Sequence, residues 1–101
     1  MPSVLPAQWV SFQLTLSSVT WTGITISIAS CQRLMLRNDS SFDIKLRTDQ
    51  ADPSTEEALH PGTELLIPLT PSNLVSFRNG VTVAYAQTFS GTGPLFVRQV
   101  Q

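Results

Sequence analysis

The residues that could do chemistry are few in this chain of 101 residues. Cys31 and His60 are its only cysteine and its only histidine, so a nucleophile–base pair would require contact between them. Cys31 follows an apolar segment, where a free cysteine is usually a small buried hydrophobic residue. One cysteine and one histidine also fall short of a tetrahedral zinc site. We therefore expect no catalytic, metal-binding or cofactor-binding residues, and a small enzyme using Cys31 and His60 is the least favoured alternative.

Acidic and aromatic side chains provide two further candidate sites. Asp39, Asp43, Asp49 and Asp52 supply the oxygen ligands that calcium prefers, but their spacing is not that of an EF-hand. Solvated turn carboxylates are the favoured interpretation. The two tryptophans, Trp9 and Trp21, could form a platform on which a sugar stacks, although tryptophans in protein cores and interfaces are more common.

The distribution of charge is the most unusual property of the sequence. Charged residues make up 13% of the chain, about half of the usual ~25%. Residues 1–32 contain none, although they hold both tryptophans. A solvated β domain usually places lysine or glutamate on its outer faces and edges, so much of this segment is expected to be covered.

Two interpretations of the uncharged segment stay open. In the first, residues 8–16 and 20–28 are central strands of the domain. In the second, they also face another subunit, because depletion of charge with enrichment of aromatic residues is typical of interface cores. The candidate assembly interface consists of four residues: Trp9, Val10, Phe12 and Trp21.

Hydrophobic periodicity predicts an all-β protein. Apolar residues alternate with polar ones over 10–16 and again over 42–47, which is the period of a half-buried strand. Asp52-Pro53 is typical of a helix start with room for one or two turns, and Asn79-Gly80 is a strong hairpin signal. The predicted strands are 8–16, 20–28, 32–37, 42–47, 63–69, 74–78, 81–89 and 95–100.

These eight short strands, with turns about every ten residues, predict an antiparallel β-sandwich or a small barrel. We favour a sandwich of Greek-key or jelly-roll-like topology with at most one short helical turn. Residues 1–7, with Pro2 and Pro6, are expected to be an extended N-terminal arm, and 8–101 a single sandwich domain.

Several partner classes are disfavoured by composition. A net charge of -1 with scattered basic residues argues against nucleic-acid binding through phosphate neutralisation. No apolar run approaches the ~18–20 residues of a membrane helix. Residues 1–16 lack the basic region of a secretory signal.

A series of turn and strand motifs extends over most of the chain. The motifs are Trp21-Thr22-Gly23-Ile24, Cys31, Leu36-Arg37-Asn38-Asp39-Ser40, Asp43-Ile44-Lys45-Leu46-Arg47-Thr48-Asp49, Asp52-Pro53, Thr55-Glu56, Leu59-His60-Pro61-Gly62, Phe77-Arg78-Asn79-Gly80 and Ser90-Gly91-Thr92-Gly93-Pro94-Leu95. The set resembles small virion proteins of tailed bacteriophages, which use an L-x-N-x-S turn, a D-I-x-L-R-T-D strand, a P-G step and a glycine-containing turn before the last strand. None of these motifs is catalytic.

The resemblance implies a non-enzymatic structural protein of the virion, assembled in the cytoplasm of the bacterial host. Head decoration, in which the protein binds the assembled capsid as a cement, is the favoured role, and a tail, collar or fibre-attachment component is the alternative. The implied partners are the major capsid protein or other virion proteins, with homo-oligomers in the particle and neither nucleic acid nor membrane. A carbohydrate-binding module of a phage adhesin is the alternative from a different functional class.

Overall fold

The structure, a computed structural model, describes residues 9–28, 31–68 and 80–100. These residues form two four-stranded antiparallel sheets and one 3₁₀ turn. Sheet A contains, in spatial order, β1 (Trp9–Leu16), β8 (Gly93–Val100), β3 (Arg33–Asn38) and β6 (Glu64–Pro68). Sheet B contains β2 (Thr22–Thr25), β7 (Thr82–Thr88), β4 (Ile44–Arg47) and β5 (Glu57–Leu59). No helix in the described ranges is both long and apolar enough to span a bilayer.

The strand order identifies the sandwich as a jelly roll. The first strand pairs with the eighth, the second with the seventh, the third with the sixth and the fourth with the fifth. The chain therefore forms one long hairpin that is rolled up, and the pairs β3–β8 and β4–β7 complete the two sheets. This is the double Greek-key arrangement of eight-stranded jelly rolls. The predicted all-β antiparallel sandwich is confirmed, and the small barrel is excluded.

The core lies between the sheets, because alternate side chains of each strand point inward. Its buried members are Leu16, Ile24, Ile26, Cys31, Leu34, Leu36, Ile44, Leu46, Leu59, Ala84, Ala86, Leu95 and Val97. Gln99 is also completely buried and joins the sheets, since its amide accepts from the Ser27 N–H (2.6 Å) and donates to the Thr25 carbonyl (2.8 Å). Every buried side-chain polar atom in the described part of the chain has a hydrogen-bond partner.

One end of the sandwich gathers four of the connections that cross between the sheets. We call it the corner end, and it comprises residues 17–21, 39–43, 60–63 and 89–92. Backbone hydrogen bonds tie these connections together: Thr88 N–H donates to the Ser17 carbonyl (3.2 Å) and Phe89 N–H to the Asp43 carbonyl (2.8 Å). Asn38, which ends β3, bonds to two of these segments, 39–43 and 60–63, and to Leu59 at the end of β5.

Several predicted elements agree with the structure. The first strand, predicted at 8–16, and the fourth, predicted at 42–47, correspond to β1 and β4. The helix start is a 3₁₀ turn over Pro53–Thr55, and the Asp52 carboxylate caps it by accepting from the Ser54 N–H (3.0 Å). Such a cap is expected where aspartate precedes a proline that cannot donate.

Other predictions need correction. Segments 8–16 and 20–28 are not central strands, because β1 and β2 lie at the edges of their sheets. The second strand ends at Thr25, where its register with β7 shifts. The short strand β5 lies between the predicted strands 42–47 and 63–69, where the sequence predicts no strand. The predicted arm 1–7 and the predicted strand 74–78 lie outside the described residues.

Candidate protein-binding face

The outer face of sheet A, which we call the A face, is the most distinctive surface of the described residues. Its side chains alternate with those that enter the core, and the cross-strand register aligns them in rows. The three rows are Trp9–Val100–Arg33–Pro68, Ser11–Arg98–Met35–Leu66 and Gln13–Phe96–Arg37–Glu64. Two of the large exposed hydrophobic residues lie here, with Trp9 63% and Leu66 60% exposed.

The composition of the A face resembles that of protein interfaces. Its large residues are tryptophan, phenylalanine, methionine, leucine and arginine, and its one acidic strand residue is Glu64. Interfaces are enriched in aromatic residues, methionine and arginine, and they are depleted of lysine, glutamate and aspartate. Tryptophan and arginine also supply many of the residues that dominate binding energy.

Arginine side chains hold the centre of the A face together. The Arg37 guanidinium lies 4.4 Å from the centroid of the Phe96 ring, and that of Arg98 lies 5.4 Å from it. The Arg98 Nε also donates to the Ser11 hydroxyl (3.0 Å). Stacking fixes these long side chains in place, so less side-chain entropy is lost when a partner binds. The face is thus partly preorganised for contact.

The charge of the A face is positive. Arg37 pairs with Asp39 (2.7 Å), whereas Arg33 and Arg98 form no ion pair with any carboxylate among the described residues. Four of the seven acidic residues lie in the β4–β5 connection and β5: Asp49, Asp52, Glu56 and Glu57. The A face is therefore complementary to a partner whose surface is neutral to acidic.

Two carboxyl groups have shifted titration. The hydrogen bond from Arg37 lowers the pKa of Asp39 and raises that of Arg37, and hydrogen bonds from Ser54 lower the pKa of Asp52. Between their lowered folded pKa values and the unfolded value of 3.8, the unfolded chain binds more protons. These two groups thus stabilise the fold above that range, and this stabilisation disappears as the pH falls through the folded pKa values.

We therefore expect the unfolding temperature to rise between about pH 2 and pH 5. The rise should be shallower in the double variant Asp39→Asn, Asp52→Asn, since neither amide titrates. Thermal melts of both proteins at closely spaced pH values measure the difference. Parallel curves for the two proteins would assign the acid sensitivity to other groups.

The four residues of the candidate assembly interface do not share one surface. Trp9 lies on the A face. Val10 is half-buried, and Phe12, on the inner side of β1, packs against the core. Trp21 precedes β2 of the other sheet, and its ring lies 4.6 Å from the guanidinium of Arg47. Only Trp9 is thus suited to test binding by substitution, because a charged residue at Phe12 would disturb the core.

The structure keeps Cys31 and His60 apart. Cys31 is buried two residues before β3 begins, and its Sγ lies 3.3 Å from the Arg33 carbonyl oxygen. His60 is exposed beyond the far end of β3, at the corner end, with its Nδ1 3.0 Å from Asp43. A six-residue strand spans roughly 20 Å, so the two side chains cannot form a nucleophile–base pair in this arrangement.

The four aspartates considered as calcium ligands bind separate local partners. Asp39 pairs with Arg37, and Asp43 with His60. Asp49 accepts from the Ala51 N–H (2.9 Å), while Asp52 caps the 3₁₀ turn. Within 9–28, 31–68 and 80–100, no three histidine, cysteine or acidic side chains are placed to hold a metal ion.

A cavity of about 320 Å³ opens between β6 and the β4–β5 side of the sandwich. Core residues such as Leu36 and Ala84 form part of its lining, and Arg47 and Glu57 contribute polar groups. Arg47 is already engaged, since it binds Glu56 (2.8 Å) and the Gln50 carbonyl (2.8 Å). The cavity has room for a small apolar group but does not bring reactive side chains together.

Sequence reasoning identified Trp9 but not the rest of the A face. Arg37 and Phe96 are 59 positions apart in the sequence, and only the β3–β8 register brings them together. The available signal was the in-out alternation of each strand, which marks the outward residues without saying which strands are neighbours. No protein-family model matches the chain, and no curated protein is significantly similar to it.

Proposed function

We propose that this protein is a non-enzymatic structural protein of a tailed-phage virion that binds other virion proteins through the A face. The observation that carries the proposal is the composition of that face, with exposed Trp9 and Leu66 beside arginines stacked on Phe96. The motif resemblance to small virion proteins supports the same assignment. Jelly rolls occur in capsid proteins, but also in lectins and cupins, so the fold alone does not select the function.

Within the virion, we favour head decoration over a tail or collar component. A cement protein that binds only the assembled shell stabilises it by mass action, and it needs a contact surface rather than an active site. The A face is a broad sheet surface of four strands, which suits docking onto a large assembled lattice.

The copy number of this chain in purified particles tests two claims: that the protein belongs to the virion, and that it decorates the head. The measurement is quantitative mass spectrometry of this chain against the major capsid protein in particles of the phage that encodes it. A count comparable to the capsid protein supports head decoration, whereas a few to a few dozen copies support the tail or collar alternative. Absence from the particle would exclude the virion role.

Binding through the A face predicts the effect of one substitution. Trp9→Asp should weaken binding to particles that lack the protein at least tenfold, because it removes an exposed aromatic residue of the kind that anchors interfaces. The fold should survive, since Trp9 is 63% exposed. Sedimentation of labelled protein with the particles measures the binding.

Val19→Asp is the matched control. Val19 is an apolar residue that is 83% exposed, but it lies in the β1–β2 connection and not on the A face. The Val19→Asp variant should bind particles as the wild type does. Equal binding by all three proteins would place the contact on another surface.

A carbohydrate-binding module of an adhesin is the second candidate, because the exposed Trp9 ring could stack on a sugar. Trp21 is on the outer side of the other sheet beneath Arg47, so the two tryptophans do not form a common platform. Host polysaccharide that quenches tryptophan fluorescence in the wild type but not in a Trp9→Phe variant would favour this candidate. A panel of glycans without any response would exclude it.

A further inference from the structure

The four edge strands of the sandwich differ in how well they are protected against pairing with another chain. β6 carries Glu64 and Pro68, β5 has three residues and includes Glu57, and β2 has four residues with a register shift. Proline, charge, short length and irregular register are the features by which β proteins block their edges. Each of these three edges therefore has at least one protective feature.

The edge formed by β1 has none of these features. It is eight residues long, contains neither charge nor proline, and keeps an unbroken register with β8 from Trp9 to Leu16. In the described ranges it pairs with β8 on one side and with no strand on the other. Every second residue of an antiparallel edge strand directs its N–H and C=O away from its neighbour, so β1 presents a row of groups that a further strand could bind.

We propose that β1 pairs in antiparallel fashion with β1 of a second copy of this chain, across a two-fold axis. The pairing would join two A sheets into one continuous sheet of eight strands. It goes beyond the proposed function, because it concerns the isolated protein and stands without the virion assignment. The three following observations favour a second copy over another partner.

The alternating side-chain pattern of β1 is self-complementary about a two-fold axis. Opposed residues must point to the same face, so the axis must pass through a residue rather than between two. With the axis at Phe12, Val10 opposes Leu14 of the partner subunit on the inner face. On the outer face, Trp9 opposes Thr15 of the partner subunit. On the inner face apolar side chains thus meet apolar ones, and on the outer face the side chain of the partner subunit's Thr15 would cover part of the exposed Trp9 ring.

The absence of charge on β1 matters most at a two-fold axis. Symmetry brings each residue near its own copy, so a charged side chain close to the axis would face a like charge. β1 is the long edge strand that avoids this repulsion, since it lies in the uncharged third of the chain.

The opposite edge of sheet A explains why association would stop at two copies. After β1 pairs with β1, both ends of the joined sheet are β6 strands, in which Glu64 and Pro68 oppose further addition. The interface is closed and isologous, so it predicts a dimer and not a fibre.

Sedimentation velocity of the purified full chain between about 1 μM and 1 mM tests the proposal. The wild type should form dimers, and Gln13→Lys should raise the dimer dissociation constant at least tenfold, because it places a charge beside the axis and near Arg98 of the partner subunit. Leu66→Lys is the matched control, an exposed residue on the outer side of the opposite edge, and it should dimerise as the wild type does.

Hydrogen exchange locates the interface. Amides of residues 9–16 should gain protection as the concentration of the wild type rises, and those of Gln13→Lys should not. If Gln13→Lys does not fold, Thr15→Lys at a second exposed position serves the same purpose. A wild type that is monomeric over the whole range, or a dimer that Gln13→Lys leaves unchanged, would overturn the proposal. Either result leaves particle binding through the A face to be tested separately with Trp9→Asp.

Discussion

Gly93→Ala is expected to lower the free energy of unfolding by about 3 kcal/mol, the upper end of the usual cost of overpacking a closed site. A Cβ at Gly93 would overlap the Cβ of Ser40 and would lie 3.3 Å from its Cα. Gly93 does not have a positive φ, so the penalty comes from the missing space and not from the backbone conformation. Ser40 cannot retreat freely, since its hydroxyl is bound to Asn38 (2.6 Å) and to the Phe42 carbonyl (2.8 Å).

Urea unfolding of Gly93→Ala measures this loss, which corresponds to roughly 12 °C in unfolding temperature for a domain of this size. Gly62→Ala is the control, because it introduces backbone strain without crowding: the φ of Gly62 is +78°, but nothing lies within 4 Å of the added Cβ. It should cost only about 1 kcal/mol, the strain of a left-handed residue.

Ser40→Gly combined with Gly93→Ala identifies the cause. The double variant should be more stable than the sum of the two single losses predicts, because Ser40→Gly removes the overlapping Cβ. Additive losses would show that crowding against Ser40 is not the source of the effect.

Asn38→Ala should cost about 4 kcal/mol, because several buried backbone groups lose their partner at once and each such group costs about 1–3 kcal/mol. The Asn38 amide donates to the carbonyls of Phe42 (2.7 Å) and Leu59 (2.7 Å) and accepts from the Ser40 N–H (2.9 Å). Its own backbone bonds to Gly62 and Thr63, so one residue links β3, β5 and two of the connections at the corner end. The control is Gln50→Ala, an exposed amide whose removal should change stability by less than about 0.5 kcal/mol.

Asn38→Asp separates hydrogen bonding from packing, since it keeps the shape of the side chain. At neutral pH its carboxylate would face two carbonyl oxygens, so this variant should be at least as unstable as Asn38→Ala. Protonation restores one donor, and the stability of Asn38→Asp relative to Asn38→Ala should therefore increase as the pH falls. Denaturant unfolding at pH 7 and pH 5 gives the comparison. If the difference in unfolding free energy between Asn38→Asp and Asn38→Ala were the same at both pH values, the assigned role of the amide donors would be contradicted.

The sequence predicts the sandwich well where local patterns are strong. β1 and β4 alternate between apolar and polar residues, and Asp52-Pro53 supplies both a cap and a proline suited to a first turn. Each of these patterns spans about eight residues or fewer, so the local sequence is sufficient to predict the element.

The missed features depend on contacts between distant residues. β5 has one buried residue, Leu59, and is defined by its pairing with β4 rather than by a pattern of its own. The edge position of β1 follows from sheet order, which no alternation encodes. The A face was missed for the same reason, since its rows combine residues from four strands. The absence of charge in residues 1–32 favoured central strands as one interpretation, and this interpretation is wrong because β1 and β2 lie at the edges of their sheets.

The position of β8 governs when the protein can fold during synthesis. β8 is the last strand in the chain, yet it lies between β1 and β3, which have no direct contact with each other in the sheet order. A nascent chain therefore carries β1 without its partner until residues 93–100 have left the ribosome. Since pairings this distant also close slowly, sheet A is completed only after β8 has emerged. Until then both edges of β1 lack a partner strand, and chaperone binding would be of most use in this interval.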